Sequence, residues 1–143
     1  MLFKRISRSA AETAFIVAKN VSGSTVTAGY SVVFDVGANV DGVRVTQASA
    51  ADLQAYAGVA DSDIADGEFG LLQVYGYRSS VYLWSSTGSS VSGDNLVVTA
   101  AKWGVTPATV GGTAKAFGFL CEAVSASSSS AYNIAAKAFI RAL

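Results

Sequence analysis

The sequence predicts an all-β fold, a small β-barrel or sandwich with an extended N-terminal arm, and three observations lead there. Short runs alternate apolar and polar residues with period two, as half-buried strands do. Between them lie turn clusters, "NVSGSTVTAG", "DVGANVDG", "SSTGSSVSGDN", "TVGGT" and "SASSSS", whose Gly, Asp and Ser supply the backbone angles of tight reversals. The chain of 143 residues is 51% hydrophobic and 14% charged, enough to bury the core of one ordinary domain. The organisation expected is an arm over residues 1–12 and one barrel-like domain over residues 13–143.

The elements follow in chain order. In "YSVVFDV", Tyr30, Val32 and Phe34 share one face. "GVRVTQ" sets Val43 and Val45 against Arg44 and Thr46. Residues 46–60, "TQASAADLQAYAGVA", break the alternation, and a short helix or a loop is expected there. "EFGLLQVYG" reads as a strand, with Gly70 marking a bulge or a close backbone approach. In "VYLW", Val81 and Leu83 alternate with Tyr82 and Trp84, so both faces of that strand are expected to be covered. The last run, "AYNIAAKAFIRAL", is rich in alanine and compatible with a helix. Its even alternation of Tyr132, Ile134, Ala136, Ala138 and Ile140 against Asn133, Lys137 and Arg141 favours a strand.

Composition narrows the function. With no histidine, the chain lacks the commonest metal ligand and the one side chain that titrates near neutrality without perturbation. The single cysteine, Cys121 in "AFGFLCEAV", permits no internal disulfide and is read as a small buried hydrophobe in a strand, since nothing nominates a base for it. No window reaches the roughly 20 apolar residues of a spanning helix, so no membrane partner is expected. The N-terminal "TAFIVA" is too short a hydrophobic region for a secretion signal, and the start is read as part of the mature protein. Net charge is zero and the basic cluster is short, which argues against nucleic acid. A charged fraction this low, against roughly a quarter on freely soluble surfaces, points to surface committed to partners.

The acidic knot "DSDIADGE" is the one candidate for chemistry. A calcium loop starting at Asp61 would need glycine at its sixth position and glutamate at its twelfth, yet those places hold Asp66 and Leu72. Asp61, Asp63 and Asp66 are therefore read as a polar turn, and a paired-carboxylate hydrolase is rejected because no cleft is implied. No catalytic, cofactor or metal residue is expected. Gly23, Gly29, Gly67, Gly70 and Gly76 are read as structural turn positions.

Two segments carry a resemblance. Asn20, Ser22, Gly23, Val26, Gly29 and Val32 fit an opening of the form N-x-S-G-x-x-(I/V)-x-x-G-x-x-V. Gly58, Val59, Ala60, Ile64, Gly67, Gly70, Leu72, Val74 and Gly76 fit a later G-V-A-x-x-x-I-x-x-G-x-x-G-x-(V/L)-x-V-x-G segment. Over residues 17–77 the chain thereby resembles the small β-barrel capsid decoration, or cement, proteins of tailed bacteriophages. The C-terminal half carries no matching signature.

That resemblance implies a non-enzymatic homotrimer on the outer surface of the virion head, made in the host cytoplasm and clamping subunits of the major capsid protein. Charge segregation gives the expectation a direction. Residues 1–19 hold Lys4, Arg5, Arg8 and Lys19 against Glu12, while residues 35–68 hold seven acids against Arg44. Such patches steer association. Leu2, Phe3 and Ile6 add apolar surface, so Leu2, Phe3, Lys4, Arg5, Ile6 and Arg8 are expected to form a partner-binding arm. The alternative is a receptor- or glycan-binding module of a tail fibre, for which Tyr75 with Tyr77, Tyr82 with Trp84, and Trp103 alone supply aromatic surface; a tail or neck subunit is the other structural possibility.

Overall fold

The computed structural model describes residues 12–37, 41–85, 89–108, 115–125 and 132–142. Among them run nine strands: β1 (Ala14–Asn20), β2 (Ser31–Phe34), β3 (Arg44–Thr46), β4 (Tyr56–Ala60), β5 (Phe69–Ser85), β6 (Asn95–Val98), β7 (Val105–Ala108), β8 (Gly118–Leu120) and β9 (Tyr132–Arg141). The fold is all-β, and its one sheet is mixed, with β1–β3 and β5–β7 parallel and the other pairings antiparallel. Neighbours follow the order β1-β3-β2-β4-β5-β7-β6-β8-β9, and β5 additionally pairs with both β1 and β9. The order thus returns to β5 from each side. Its 17 residues are long enough to serve two circuits, the first half pairing with β1 and β4 and the second with β9 and β7.

The two circuits have the same internal register. Val32 pairs with Gly58 as Leu96 pairs with Gly118, and Phe34 with Val45 as Val98 with Val105. The parallel pair of Asn20 and Val45 recurs as Leu83 and Val105. An isolated bridge from Val26 to Ile64 recurs as one from Ser90 to Val124. Even single loop bonds repeat: Gly29 N–H donates to the Ala60 carbonyl at 2.9 Å, and Gly93 N–H donates to the Leu120 carbonyl at 2.8 Å. The C-terminal half, which carries no signature in sequence, is therefore a second copy of the strand scheme of the first.

Each circuit has its own core. Ala18, Val26, Val32, Val45, Ala57, Ala60, Ile64 and Leu72 fill the first. The larger second core gathers Val81, Leu83, Leu96, Val98, Val105, Leu120, Ala136, Ala138 and Ile140 together with Val33, Tyr56 and Val59. Strands β2 and β4 therefore lie between the two, Val32 facing one core and Val33 the other. Leu72 and Leu83, one in each core, are fully buried, and each contributes about 2 kcal/mol by leaving water.

This double burial explains where the sequence reading departs from the structure. All five residues of β4 are buried, so the strand has no polar face and shows no alternation. Residues 46–60 accordingly hold the end of β3, a turn and β4 instead of a helix. The turn is closed by Asp52, whose Oδ1 accepts from Ser49 N–H at 2.6 Å and whose carbonyl accepts from Ala55 N–H at 2.8 Å. Val43 precedes β3 and is exposed, so only Val45 of that pair is core. Cys121 lies in the bend after β8, half-buried, because β8 ends at Leu120. The C-terminal run is a strand, with Ala136, Ala138 and Ile140 buried and Lys137 and Arg141 exposed. Of the arm expected over residues 1–12, residues 1–11, with all six expected partner-binding residues, lie outside the described residues.

Candidate functional site

The acidic knot is a set of structural braces. Asp63 Oδ1 accepts from Ala28 N–H and Asp66 Oδ1 from Gly23 N–H, each at 2.8 Å, so both carboxylates hold the loop between β1 and β2 onto the 61–67 turn. Asn20 completes the clasp. It is fully buried, its Nδ2 donating to the carbonyls of Ser24 and Ile64 at 2.7 and 2.8 Å while its Oδ1 accepts from Ser22 N–H. The two sequence segments of the resemblance thus meet in space and build the first circuit. Of the five glycines expected at turns, Gly23, Gly29 and Gly67 lie in this region in bends or turns with positive φ, whereas Gly70 and Gly76 lie inside β5, Gly70 against the Ile64 side chain and Gly76, also at positive φ, against the Glu12 carbonyl.

Asp61 is turned away from the other two acids and pairs with Arg78 at 3.0 Å. The Arg78 guanidinium also donates to the Ala60 and Ser80 carbonyls, at 2.8 and 3.0 Å, and reaches Gln73 Oε1 at 3.3 Å. It stands beside the β5 irregularity between Arg78 and Val81 and ties that strand to the end of β4. The depression of about 310 Å³ around Asp61, Gln73, Tyr77, Arg78, Ser79 and Ser80 is lined by groups engaged with one another. Among the described residues no group of three or more His, Cys, Asp or Glu could hold a metal. Burial pushes the Cys121 thiol up, and the neighbouring Glu122 adds to the shift, so a thiolate is disfavoured. The three acids of the knot are thus committed to backbone donors and to Arg78.

Aromatic residues gather at the junction of the circuits. Trp103 is not alone as the sequence suggested: it stacks on Tyr30 with ring centroids 5.6 Å apart and planes 19° off parallel, and Tyr30 meets Tyr82 edge-on at 5.0 Å. Lys102 Nζ lies 4.6 Å from the centre of the Trp84 ring. Together with Ala101 these side chains line a cleft of about 210 Å³. Tyr75, by contrast, packs edge-on to Phe139, which stacks on Phe119, so it belongs to the β5–β9 ladder and not to a pair with Tyr77.

A second surface was not read in the sequence. On the outer face of the β1–β5 ladder, Val17 stands opposite Leu71 and Phe69 opposite Lys19. Val17 and Phe69 are each 60% exposed, and Leu71 and Phe15 are exposed beside them. The places of Phe69 and Leu71 in the second circuit are taken by Ala135 and Lys137, where Lys137 pairs with Glu122 at 3.1 Å. The apolar face is thus confined to one copy of the repeated scheme. Its signal in the sequence was the outward-facing half of "AFIVAKN" and "EFGLLQV", which carries large apolar residues where a solvated strand carries polar ones.

By sequence, no family profile and no curated protein matches the chain. By structure, it is similar to the N-terminal base of the head fibre gp8.5 of bacteriophage phi29, with a TM-score of 0.52, 18% identity, and 92% of this chain and 96% of that one covered. At that identity the likeness is one of fold. It overturns the expectation of a decoration protein that clamps the major capsid protein. The motifs behind that expectation consist of turn and strand residues that shape one circuit, whereas the likeness to a fibre base runs through both circuits and almost the whole chain.

Proposed function

We propose that this protein is a non-enzymatic structural module of a phage virion fibre, serving as the base on which the fibre is held at the particle surface. The observation that carries this reading is the end-to-end fold likeness to a head-fibre base, 92% of one chain against 96% of the other. The confined apolar face of Phe15, Val17, Phe69 and Leu71 supports it, because contiguous exposed apolar surface marks a place of assembly. Closure of the β1-β3-β2-β4-β5 and β5-β7-β6-β8-β9 circuits supports reading each as a small barrel, which removes sheet edges and suits a particle exposed outside the cell. Closed cyclic symmetry is the usual form of such assemblies, and a homotrimer is the state carried forward. In this reading Leu2, Phe3, Lys4, Arg5, Ile6 and Arg8 belong to an arm that crosses to a neighbouring subunit or to the particle, and the body of the protein is a single unit.

Electron cryo-microscopy of phage particles carrying a tagged copy tests the assignment. Label on projecting fibres is the expected result, with heads lacking the protein keeping their thermal stability. Label spread as a layer over the shell, or loss of head stability on removal, would overturn it. Deleting residues 2–11 from the purified protein tests the arm: the melting temperature stays close to the original while oligomer formation, read by light scattering, weakens. An unchanged oligomer would remove the arm from the assembly.

A further inference from the structure

We infer that the cleft between the two circuits is a carbohydrate-binding site for an acidic sugar, a single pyranose ring bearing a carboxylate within a longer glycan. The inference deepens the fibre reading by giving the module a ligand class, and rests on the geometry of Tyr30, Tyr82, Trp84, Lys102 and Trp103.

The cleft is assembled from three separate parts of the chain. Tyr30 comes from the loop between β1 and β2, Tyr82 and Trp84 from β5, and Lys102 with Trp103 from the loop between β6 and β7. Sites built where structural units meet are the common case. The strand register repeats here but the side chains do not, since the places of Tyr82 and Trp84 in the first circuit are taken by Lys19 and Val21. The aromatic cluster therefore has no counterpart in the other copy.

Its parts are held rigid. The Trp103 carbonyl accepts from both Ser31 N–H and Ser31 Oγ, at 2.8 and 2.9 Å. The loop passes so close to β5 that a Cβ at Gly104 would stand 2.8 Å from the Trp84 nitrogen. Ala101, the one non-glycine residue with positive φ among the described residues, sits at the rim at φ 57°. A left-handed alanine is strained by its Cβ, and such strain collects at binding sites whose surroundings enforce it. Ala101 N–H donates to the Ala48 carbonyl at 2.7 Å, which fixes that conformation.

The chemistry selects the ligand. A pyranose would lay its C–H face on ring surface of these Trp and Tyr side chains not already used by the Tyr30–Trp103 stack and the Lys102–Trp84 contact, while the phenolic hydroxyls and the Lys102 amine meet its hydroxyl groups. No carboxylate lines the cleft, and Lys102 stands over Trp84 instead of beside an acid. A carboxylate on the sugar would give that amine a charge-assisted hydrogen bond. At about 210 Å³ the cleft lies below the roughly 300 Å³ at which drug-sized pockets begin, which suits one ring of a chain that continues into solvent. Stacking of nucleobases uses the same ring faces, but it needs a positively charged groove along the backbone, and among the described residues Lys102 is the single cation in the lining.

The test is calorimetric titration of the purified full-length protein with trigalacturonic acid, with the neutral trisaccharide maltotriose, and with a short single-stranded oligothymidylate. Saturable binding of the acidic trisaccharide, with weaker binding of the neutral one, is expected. Lys102→Met, which keeps the apolar stem, removes the preference for the acid and costs about tenfold in affinity for it. Trp84→Ala weakens both sugars, and thermal melts of the two variants confirm that they are folded. The inference is overturned by absence of saturable sugar binding at millimolar concentration, by indifference of binding to both substitutions, or by preference for the oligonucleotide. Because no virion enters the measurement, its failure leaves the fibre assignment to be decided by imaging.

Discussion

Gly58 lies so close to Gln73 that a Cβ on it would stand 2.7 Å from the Gln73 carbonyl oxygen, and its φ of 149° is one that other residues rarely adopt. Gly118 approaches the Phe139 carbonyl in the same way at the matching place of the second circuit. The contact is backbone against backbone, which no rotamer change can relieve. Gly67, at φ 81°, has open space where a Cβ would go.

These three positions separate crowding from backbone strain. Gly58→Ala is expected to destabilise by about 2–3 kcal/mol, from overpacking added to strain, and Gly118→Ala by about 1–3 kcal/mol from overpacking alone. Gly67→Ala is expected to cost about 1 kcal/mol, the left-handed penalty alone. Urea unfolding midpoints of the three variants check the order. A Gly58→Ala variant as stable as Gly67→Ala would show that β4 and β5 do not approach this closely.

Asp63→Ala and Asp66→Ala each free a backbone N–H of the loop between β1 and β2, at Ala28 and Gly23 respectively. Each bond lies at an exposed site, so a loss of about 1 kcal/mol is expected per variant. Because the carboxylates are already occupied as acceptors, added calcium is expected to leave the melting temperature of the unaltered protein unchanged. A calcium-dependent rise that disappears in Asp63→Ala would contradict the brace assignment.

Glu122 accepts from Lys137 N–H at 2.7 Å, and that bond, with the Lys137 ammonium beside it, holds its carboxyl below the ordinary 4.5. The folded value is depressed, so this contribution to stability is present above pH 4.5 and is lost as the pH falls through the lower folded value. Glu122→Gln is therefore expected to melt slightly below the original protein at pH 7 and together with it in strong acid. Melting curves across that range measure the difference. An equal difference at every pH would remove the ion pair as its source.

The Tyr56 hydroxyl is buried with no hydrogen-bond partner among the described residues, and its ring stacks on Phe117 with centroids 4.6 Å apart. Burial pushes the phenol well above its usual value. Tyr56→Phe keeps the ring and removes the unpaired group, so it is expected to gain about 1 kcal/mol in stability. A clear loss in chemical denaturation would reveal a partner for the hydroxyl.

The local grammar of the chain was legible in its residues. Alternation along Ala136, Ala138 and Ile140 reports a strand with one strongly buried face, Val81 and Leu83 against half-buried Tyr82 and Trp84 report one covered on both, and the turn residues Asn20, Asp66 and Gly67 mark where the chain reverses. The failed register of the acidic knot likewise sufficed to reject a calcium loop, because that motif is defined by spacing. The sequence alone therefore determined an all-β protein with turn-forming acids. Only the tertiary structure decided that β5 serves two circuits, that β4 is a strand, and that Tyr30 and Trp103 share a cleft with Tyr82. The repeat escaped the sequence because register depends on backbone pairing, and pairing tolerates nearly any side chain of suitable size: Val32 and Leu96, or Ile64 and Val124, occupy matching places without being identical. Geometry demanded the same residue in both copies where two backbones touch, at Gly58 and Gly118, and where the loop turns through positive φ, at Gly29 and Gly93, and two shared glycine pairs are too faint a signal to be read before the strands are seen side by side.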